Sequence, residues 1–180
     1  MKQIRIHGRG GQGVVTAAEL TAISAFNDGH EAQAFPSFGV ERTGAPIEAF
    51  ARIDDKPIRT REHVYHPDIL IVQDASVMTT VDVSHGCTEK TIAIINTSLP
   101  KNAIKLSIPE KNIFPIDATK IALDILGRNI VNTIILGAIA KSTKIITLDS
   151  IKKAVKQKFS AKGQELVDKN IKAVVKAYNL

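Results

Sequence analysis

Short apolar runs of β-strand length recur along the chain before residue 117. They occupy residues 4–6, 32–35, 47–53, 69–72, 92–95 and 113–116. Runs 69–72 and 92–95 are apolar throughout, which is typical of central strands buried on both faces. Run 47–53 instead alternates between apolar and other residues. A turn at Asp54-Asp55 and a predicted short second strand at Pro57-Ile58 follow it. This alternation predicts a hairpin at the margin of the sheet.

Longer segments with apolar positions three and four residues apart predict α-helices. They cover residues 14–27, 119–126, 132–140, 148–159 and 164–178. Asp28-Gly29 and Gly127 follow the first two segments, and glycine commonly ends a helix. Helices that separate or follow several of the strands predict one α/β domain over residues 1–180. We expect a three-layer α/β/α sandwich with a mostly parallel or mixed sheet.

The first predicted strand leads into a glycine-rich loop. Gly8, Gly10 and Gly13 have the G-x-G-x-x-G spacing of dinucleotide-binding loops, and the first predicted helix follows at once. Glycine permits close backbone approach to a ligand, and the amide groups at a helix start favour an anion. A Rossmann-like phosphate loop and a plain strand-to-helix turn both fit this spacing. An NAD site lacks support, because the second strand runs into Pro36-Ser37-Phe38 without an acidic residue for the ribose.

Length and composition restrict the class of protein. The chain has 180 residues, of which 44% are hydrophobic, and this suffices for one domain with a sizeable core. There is no long uncharged apolar run and no signal-peptide pattern, so we expect a cytoplasmic protein with no membrane partner. The single cysteine, Cys87, excludes an internal disulfide and an iron–sulfur cluster held by this chain alone. We expect no metal ligands here.

The net charge of +6 raises the question of nucleic acid binding. Many of the lysines lie between residues 152 and 176, on segments with helical apolar spacing, which predicts solvated helix faces. Aromatic residues make up only 4% of the chain and leave little for base stacking, and no nucleic-acid motif is present. We therefore expect no nucleic-acid partner.

A second unusual segment, residues 35–50, joins the second predicted strand to the third. Its prolines and glycines fix or permit special backbone angles, while Ser37, Glu41, Arg42 and Thr43 add polar groups. These residues are typical of a functional loop. A long connection with a surface Glu–Arg pair also fits them when they are considered alone.

Together the two loops resemble the gamma subunit, or gamma domain, of 2-oxoacid:ferredoxin oxidoreductases such as the pyruvate and ketoisovalerate enzymes. The resemblance includes the strand, glycine loop and helix, and then Pro-Ser-Phe-Gly-Val-Glu-Arg-x-Gly-Ala-Pro. It continues through residues 49–59, 66–74, 117–122 and 132–138, and so covers nearly the whole chain in the same order. Thr43 stands where many relatives carry a second Arg or Gly, and the thiamine-binding and cluster-binding portions are absent.

The resemblance implies one subunit of an enzyme that oxidatively decarboxylates a 2-oxoacid with coenzyme A. Pyruvate would yield acetyl-CoA and carbon dioxide, and ferredoxin would accept the electrons. The implied partners are alpha, beta and delta subunits, with thiamine diphosphate, Mg and 4Fe-4S clusters bound in partner subunits and no cofactor on this chain alone. The resemblance gives the subunit a role in assembly and in binding coenzyme A, with no catalytic residue.

Ligand contacts are expected from the two loops. The glycine loop would offer amide groups and one guanidinium to the phosphates of coenzyme A. The second loop would contact the same ligand or a neighbouring subunit. The expected residues are Gly8, Arg9, Gly10, Gly11, Gln12 and Gly13 in the first loop, and Ser37, Glu41, Arg42 and Thr43 in the second.

The alternative is a free-standing Rossmann-like module that binds a nucleotide or flavin as a regulator. It rests on the glycine loop alone and leaves residues 36–46 unexplained. It predicts tight nucleotide binding by the isolated chain, whereas a subunit would bind weakly alone and expose an apolar surface for its partners. The choice among pyruvate, branched-chain 2-oxoacids and 2-oxoglutarate stays open, as does sharing of the subunit between two complexes.

Overall fold

The computed structural model describes residues 1–37 and 42–180, which contain six strands in one sheet. The strands are β1 (Lys2–Arg9), β2 (Glu31–Pro36), β3 (Pro46–Asp54), β4 (Ile69–Val72), β5 (Ile92–Asn96) and β6 (Ile113–Ile116). Their order is β2-β3-β1-β4-β5-β6. β1, β4, β5 and β6 are parallel, and β3 runs antiparallel to both of its neighbours. The expectation of a mixed sheet is confirmed.

β3 lies inside the sheet, so the predicted hairpin with Pro57-Ile58 is wrong. β3 pairs with β1 from Pro46 opposite Arg9 to Ile53 opposite Lys2, and it pairs with β2 on its other side. β2 therefore occupies the position that the hairpin required. Ile58 is instead part of a loop, where its carbonyl accepts a hydrogen bond from the Gln33 side chain at 2.9 Å.

The described residues form α-helices at the five predicted places. They are α1 (Val14–Asn27), α2 (Ala118–Leu126), α3 (Ile134–Thr143), α4 (Leu148–Phe159) and α5 (Gln164–Tyr178). All five contribute buried side chains to a core that also includes Ile4, Ile6, Ile71 and Ile94 of the central strands. Because side chains alternate along a strand, this core covers one face of the sheet.

The other face differs from the expected α/β/α sandwich. Leu70 and Val72 of β4 pack there with Val77, Val83 and Ile104, which belong to short 3₁₀ turns and irregular chain rather than to α-helices. The connections that form this layer contain helix-breaking signals. Two prolines, Pro100 and Pro109, occur between β5 and β6, and each precedes a 3₁₀ turn of three residues.

Two buried arginines, Arg5 of β1 and Arg52 of β3, hold loops against this second face. Arg5 donates to the carbonyl oxygens of Val64 at 3.3 Å and Val83 at 3.0 Å, and Arg52 donates to the carbonyl oxygen of Glu62. The guanidinium of Arg52 also lies 5.1 Å from the centre of the Phe35 ring. These charge-assisted hydrogen bonds fix irregular chain where backbone pairing is missing.

Candidate functional site

The carboxyl ends of the parallel strands surround a cavity of about 570 Å³. Gln73 and Asp74 follow β4, Asn96 ends β5, and Asp117 follows β6 at the start of α2. Gln12 of the glycine loop reaches the same cavity from the end of β1. Open α/β sheets bind their ligands at this edge, and the volume is within the range of small-molecule sites.

Residues 10–13 of the glycine loop connect β1 directly to α1, while Gly8 and Arg9 end β1. Gly11 and Gly13 have φ angles of 90° and 73°, in the left-handed region that favours glycine. Gly10 pairs with a turn at residues 42–45: its N–H donates to the Ala45 carbonyl at 2.9 Å, and its carbonyl accepts from Gly44 at 3.0 Å. A Cβ on Gly10 would collide with the carbonyl oxygen of Arg42. The two unusual segments of the sequence therefore form one structural unit.

Packing also accounts for glycine at the first and last positions of the motif. A Cβ on Gly8 would lie 2.6 Å from Cγ2 of Val14, the first residue of α1. A Cβ on Gly13 would collide with the side-chain nitrogen of Asn132, which precedes α3. The motif thus brings the starts of α1 and α3 close together at the cavity.

A polar network joins the glycine loop to the residues that follow β4. The Gln12 side chain accepts from the Arg9 N–H at 2.8 Å and donates to Oδ2 of Asp74 at 2.7 Å. The Arg9 guanidinium donates to Oγ of Ser76 at 3.0 and 2.9 Å and to the Gly44 carbonyl at 2.9 Å. Arg9 is therefore held in place between the two loops.

Asp74 is the acidic member of this network. Burial alone would raise the pKa of its carboxyl group, but hydrogen bonds from Ser76 and Gln12 and the charge of Arg9 outweigh it and lower the pKa. Asp74 is consequently ionised at neutral pH and balances the charge of Arg9, whose Nε lies 3.7 Å from its Oδ2.

The start of α1 offers backbone amide groups. Its N-cap is Gly13, which has no side chain, and among the described residues no side chain caps the helix and no acidic residue lies in its first turn. The first N–H groups of an α-helix have no partner within the helix and carry a partial positive charge. By contrast, Asp117 caps α2 by accepting from the Lys120 N–H at 2.8 Å. The start of α1 is the better anion site of the two.

Asn96 connects three elements at the floor of the cavity. Its Nδ2 donates to the Gln73 carbonyl at 2.8 Å and to Oγ1 of Thr119 at 2.9 Å, and its Oδ1 accepts from the Thr119 N–H at 3.1 Å. These bonds fix the end of β5 to the residue after β4 and to the first turn of α2. They also occupy one of the amide groups at the start of α2.

The remaining predicted site residues lie in the second loop. Arg42 and Thr43 are exposed in the turn beside the glycine loop, and the Thr43 methyl group would be 3.8 Å from a Cβ on Gly11. Ser37 is farther along the sheet edge, where its N–H donates to the Glu48 carbonyl at 3.0 Å. Glu41 lies outside the described residues, so its predicted role stays a prediction.

His7, next to the glycine loop, lies on the opposite face of the sheet from Ile6 and is only 2% exposed. Burial and the charge of Arg5 lower its pKa to about 3 against a weaker opposing effect of Asp82. Its Nδ1 lies 3.5 Å from Oε1 of Glu48, but at neutral pH the ring is uncharged and this contact is not an ion pair. His7 is thus unsuited to bind an anion as a cation.

Gln73, Asp74, Asn96 and Thr119 are among the cavity residues that reasoning from sequence missed. The signal was available, because three of them come directly after or at the end of a predicted strand, where α/β sheets place their ligands. Residues 1–37 and 42–180 contain no cluster of three or more His, Cys, Asp or Glu that could hold a metal ion. No helix in these ranges is long and apolar enough to cross a membrane.

Comparison with known proteins relates this site to a family. Residues 3–180 match the family described as pyruvate ferredoxin/flavodoxin oxidoreductase. The chain is 49% identical to the pyruvate/ketoisovalerate oxidoreductases common subunit gamma of Thermococcus kodakarensis, over 99% of this chain and 96% of that protein. It superimposes on the crystal structure of pyruvate oxidoreductase subunit PORC from Thermotoga maritima with a TM-score of 0.83 and 35% identity, over 99% of this chain and 95% of that one.

A more distant structure shows the same fold. It is the 2-oxoglutarate:ferredoxin oxidoreductase from Magnetococcus marinus with 2-oxoglutarate, coenzyme A and succinyl-CoA bound. The TM-score is 0.77 at 18% identity, and the match covers 99% of this chain but 30% of that one. In that enzyme the fold is therefore one part of a longer polypeptide.

Proposed function

The chain belongs to the pyruvate ferredoxin/flavodoxin oxidoreductase family as a gamma-type subunit, and we propose that it binds coenzyme A within an assembled 2-oxoacid:ferredoxin oxidoreductase. The assembled enzyme would convert pyruvate, coenzyme A and oxidised ferredoxin to acetyl-CoA, carbon dioxide and reduced ferredoxin. The match over nearly the whole length of a known gamma subunit supports this function over that of a free-standing nucleotide-binding module.

The partner subunits, alpha, beta and delta, would supply the redox and decarboxylation chemistry. Thiamine diphosphate with Mg and the 4Fe-4S clusters, when bound in those subunits, activate the 2-oxoacid and carry its electrons toward ferredoxin. The contribution of this chain is to hold the acyl acceptor, coenzyme A, and to contact its neighbours. No residue of this chain is assigned a proton transfer.

The uncapped start of α1 is the observation that carries the proposal. The glycine loop leaves the first amide groups of α1 without a side-chain acceptor, and Arg9, which begins this loop, is held in a fixed position by Ser76 and Gly44. Arg42 is exposed in the adjoining turn and adds a second positive charge. Helix amides and guanidinium groups together are suited to the phosphates of coenzyme A. The coenzyme A bound by the Magnetococcus marinus enzyme, which has the same fold, also supports this ligand.

Thr16, half-buried in the first turn of α1, provides a selective test. A carboxylate there would stabilise the helix by about 0.3–1 kcal/mol but would repel a bound phosphate. In the assembled enzyme, Thr16→Glu should raise the KM for coenzyme A about fivefold or more, corresponding to about 1 kcal/mol of repulsion. The KM for pyruvate should not change.

The neutral variant Thr16→Gln has nearly the same shape and serves as the control. It should retain the wild-type KM for coenzyme A and the unfolding midpoint of the wild type, while Thr16→Glu should unfold at the same midpoint or slightly higher. Equal KM values for coenzyme A in Thr16→Glu and Thr16→Gln would refute binding of the phosphates at the start of α1.

The partners can be identified by purifying this chain from its native cells without oxygen and assaying dye reduction that depends on a 2-oxoacid and coenzyme A. Copurification of thiamine- and cluster-binding subunits with this activity is the expected result, and the preferred 2-oxoacid would define specificity. Recovery of the chain alone, with tight nucleotide binding, would favour the free-standing module.

A further inference from the structure

Gln73 is a buried polar side chain with unused hydrogen-bonding groups. It lines the cavity and is 1% exposed, yet neither its Oε1 nor its Nε2 has a partner among the described residues. Its backbone is fully engaged, because the N–H donates to His7 at 2.8 Å and the carbonyl accepts from Asn96 at 2.8 Å. An unpaired buried amide is destabilising, so the side chain is well placed to gain from a bound ligand.

The charges around the cavity restrict the ligand. Among the described residues, Asp117 and Asp124 line it together with Asp74, whose charge Arg9 balances, against the ammonium group of Lys120. The start of α2 does not compensate, because Asp117 and Asn96 already accept from its Lys120 and Thr119 amides. The cavity is therefore unfavourable for phosphate and suited to a neutral polar group.

Amide groups of a ligand are suitable hydrogen-bond partners for Gln73. The side-chain amide offers one acceptor and donor hydrogens on neighbouring atoms, and a secondary amide offers one N–H and one carbonyl oxygen. Because an open-chain secondary amide is trans and directs its N–H and its carbonyl oxygen to opposite sides, each ligand amide would pair with one of the two Gln73 atoms. Coenzyme A contains two such amides in its pantetheine arm, which carries no charge.

The position of the cavity agrees with this assignment. Gln12 belongs both to the glycine loop and to the cavity lining, and it is bonded to Arg9 on one side and Asp74 on the other. A ligand with its phosphates at the start of α1 could therefore extend past Gln12 into the cavity. We propose that Gln73 binds an amide of the pantetheine arm of coenzyme A, an inference that rests on the proposed coenzyme A site.

The test separates the two halves of coenzyme A in the assembled enzyme. Pantetheine carries the amides without phosphates, and adenosine 3′,5′-bisphosphate carries phosphates without the amides. Gln73→Met keeps the length of the side chain and removes its donor and acceptor. In calorimetric titrations without oxygen, Gln73→Met should weaken pantetheine binding about tenfold or more and leave the Kd of the bisphosphate unchanged.

Thr16→Glu should give the converse result, with weaker binding of the bisphosphate and an unchanged Kd for pantetheine. An unchanged Kd for pantetheine in Gln73→Met would overturn the assignment of Gln73, while a weakened bisphosphate in Thr16→Glu would still support the phosphate site. An unchanged bisphosphate Kd in Thr16→Glu would instead refute the proposed coenzyme A site itself.

Stability provides a readout that does not depend on ligand. Because Gln73 has no partner among the described residues, Gln73→Met should unfold at the same temperature as the wild type or higher when no ligand is present. A clearly lower unfolding temperature would mean that the amide is already satisfied within the protein, which overturns the inference. If Gln73→Met does not accumulate as folded protein, Gln73→Leu carries the same binding expectations.

Discussion

Replacing Gly13 by alanine tests how the glycine loop fits against α3. Gly13 has a φ of 73°, and Gly127, at the end of α2, has a similar φ of 69°. Alanine in this left-handed region costs about 1–2 kcal/mol at either position. A Cβ at residue 127 has no neighbour within 4 Å, whereas a Cβ at residue 13 collides with Asn132. Displacing a packed side chain adds about 1–3 kcal/mol, so Gly13→Ala should lose about 2–5 kcal/mol.

The two variants should be compared by urea unfolding of the isolated chain. The sequence has no tryptophan, so far-ultraviolet circular dichroism is the appropriate signal. Gly127→Ala is the matched control, because it carries the same backbone cost without the collision. Equal losses of unfolding free energy in Gly13→Ala and Gly127→Ala would contradict the packing argument.

A double-mutant cycle isolates the contact between residues 13 and 132. Asn132→Ala alone removes the acceptor for the Thr133 N–H, a bond of 2.9 Å, and should be destabilising. Combined with Gly13→Ala it also relieves the collision, so the double variant should be more stable than additivity predicts by about 1 kcal/mol or more. Additive losses would show that the loop accommodates a side chain without displacing Asn132.

Two further predictions concern pH. Burial lowers the pKa of His7 to about 3 from its ordinary 6.5, so between these values the unfolded chain binds a proton that the folded chain does not. The folded state should therefore lose stability as pH falls from about 6.5 to about 3. His7→Leu should flatten the dependence of the unfolding free energy on pH in that window, and an unchanged slope would contradict this prediction. The lowered pKa of Asp74 contributes stability that is fully present above its ordinary pKa of 3.8 and is lost as pH falls below that value. Asp74→Asn should therefore be less stable than the wild type at pH 7 but lose less unfolding free energy on acidification. Parallel curves of unfolding free energy against pH for the two proteins would contradict this prediction.

The strands and helices were largely predictable because each shows a regular apolar period. The four residues of β4 and the full length of α1 are clear in the sequence for this reason. The partner of β3 was not predictable, since alternation shows which faces a strand presents and does not show its neighbours. The prediction of α-helices on the second face of the sheet was wrong. Prolines and short segments between strands indicate where a helix cannot continue, but they do not indicate which structure forms instead.

Only part of the candidate site could be predicted from the sequence, because the rest depends on which strands are neighbours. The glycine loop and the turn at residues 42–45 stand out by unusual residue types, and the structure brings them into contact through Gly10. Gln73 and Asn96 are of ordinary residue types, and their significance comes from the sheet order, which places β4 between β1 and β5 so that their ends line one cavity with the glycine loop. Topology rather than composition assembles this cavity.

The caps of the helices help to distinguish a packing role of the glycine motif from a ligand-binding role. Contacts with Val14, Arg42 and Asn132 explain why side chains are excluded at the three motif glycines, but they do not explain why α1 lacks a cap. α2 and α4 each begin with a capping side chain and α5 carries an acid in its first turn. α3, like α1, has neither, but its start is buried and the Asn132 side chain accepts from the Thr133 N–H there. A missing cap costs about 1 kcal/mol. A bound phosphate at the start of α1 would recover that cost and would be repelled by a carboxylate of the helix itself. Ligand binding therefore explains the missing cap of α1, which packing does not.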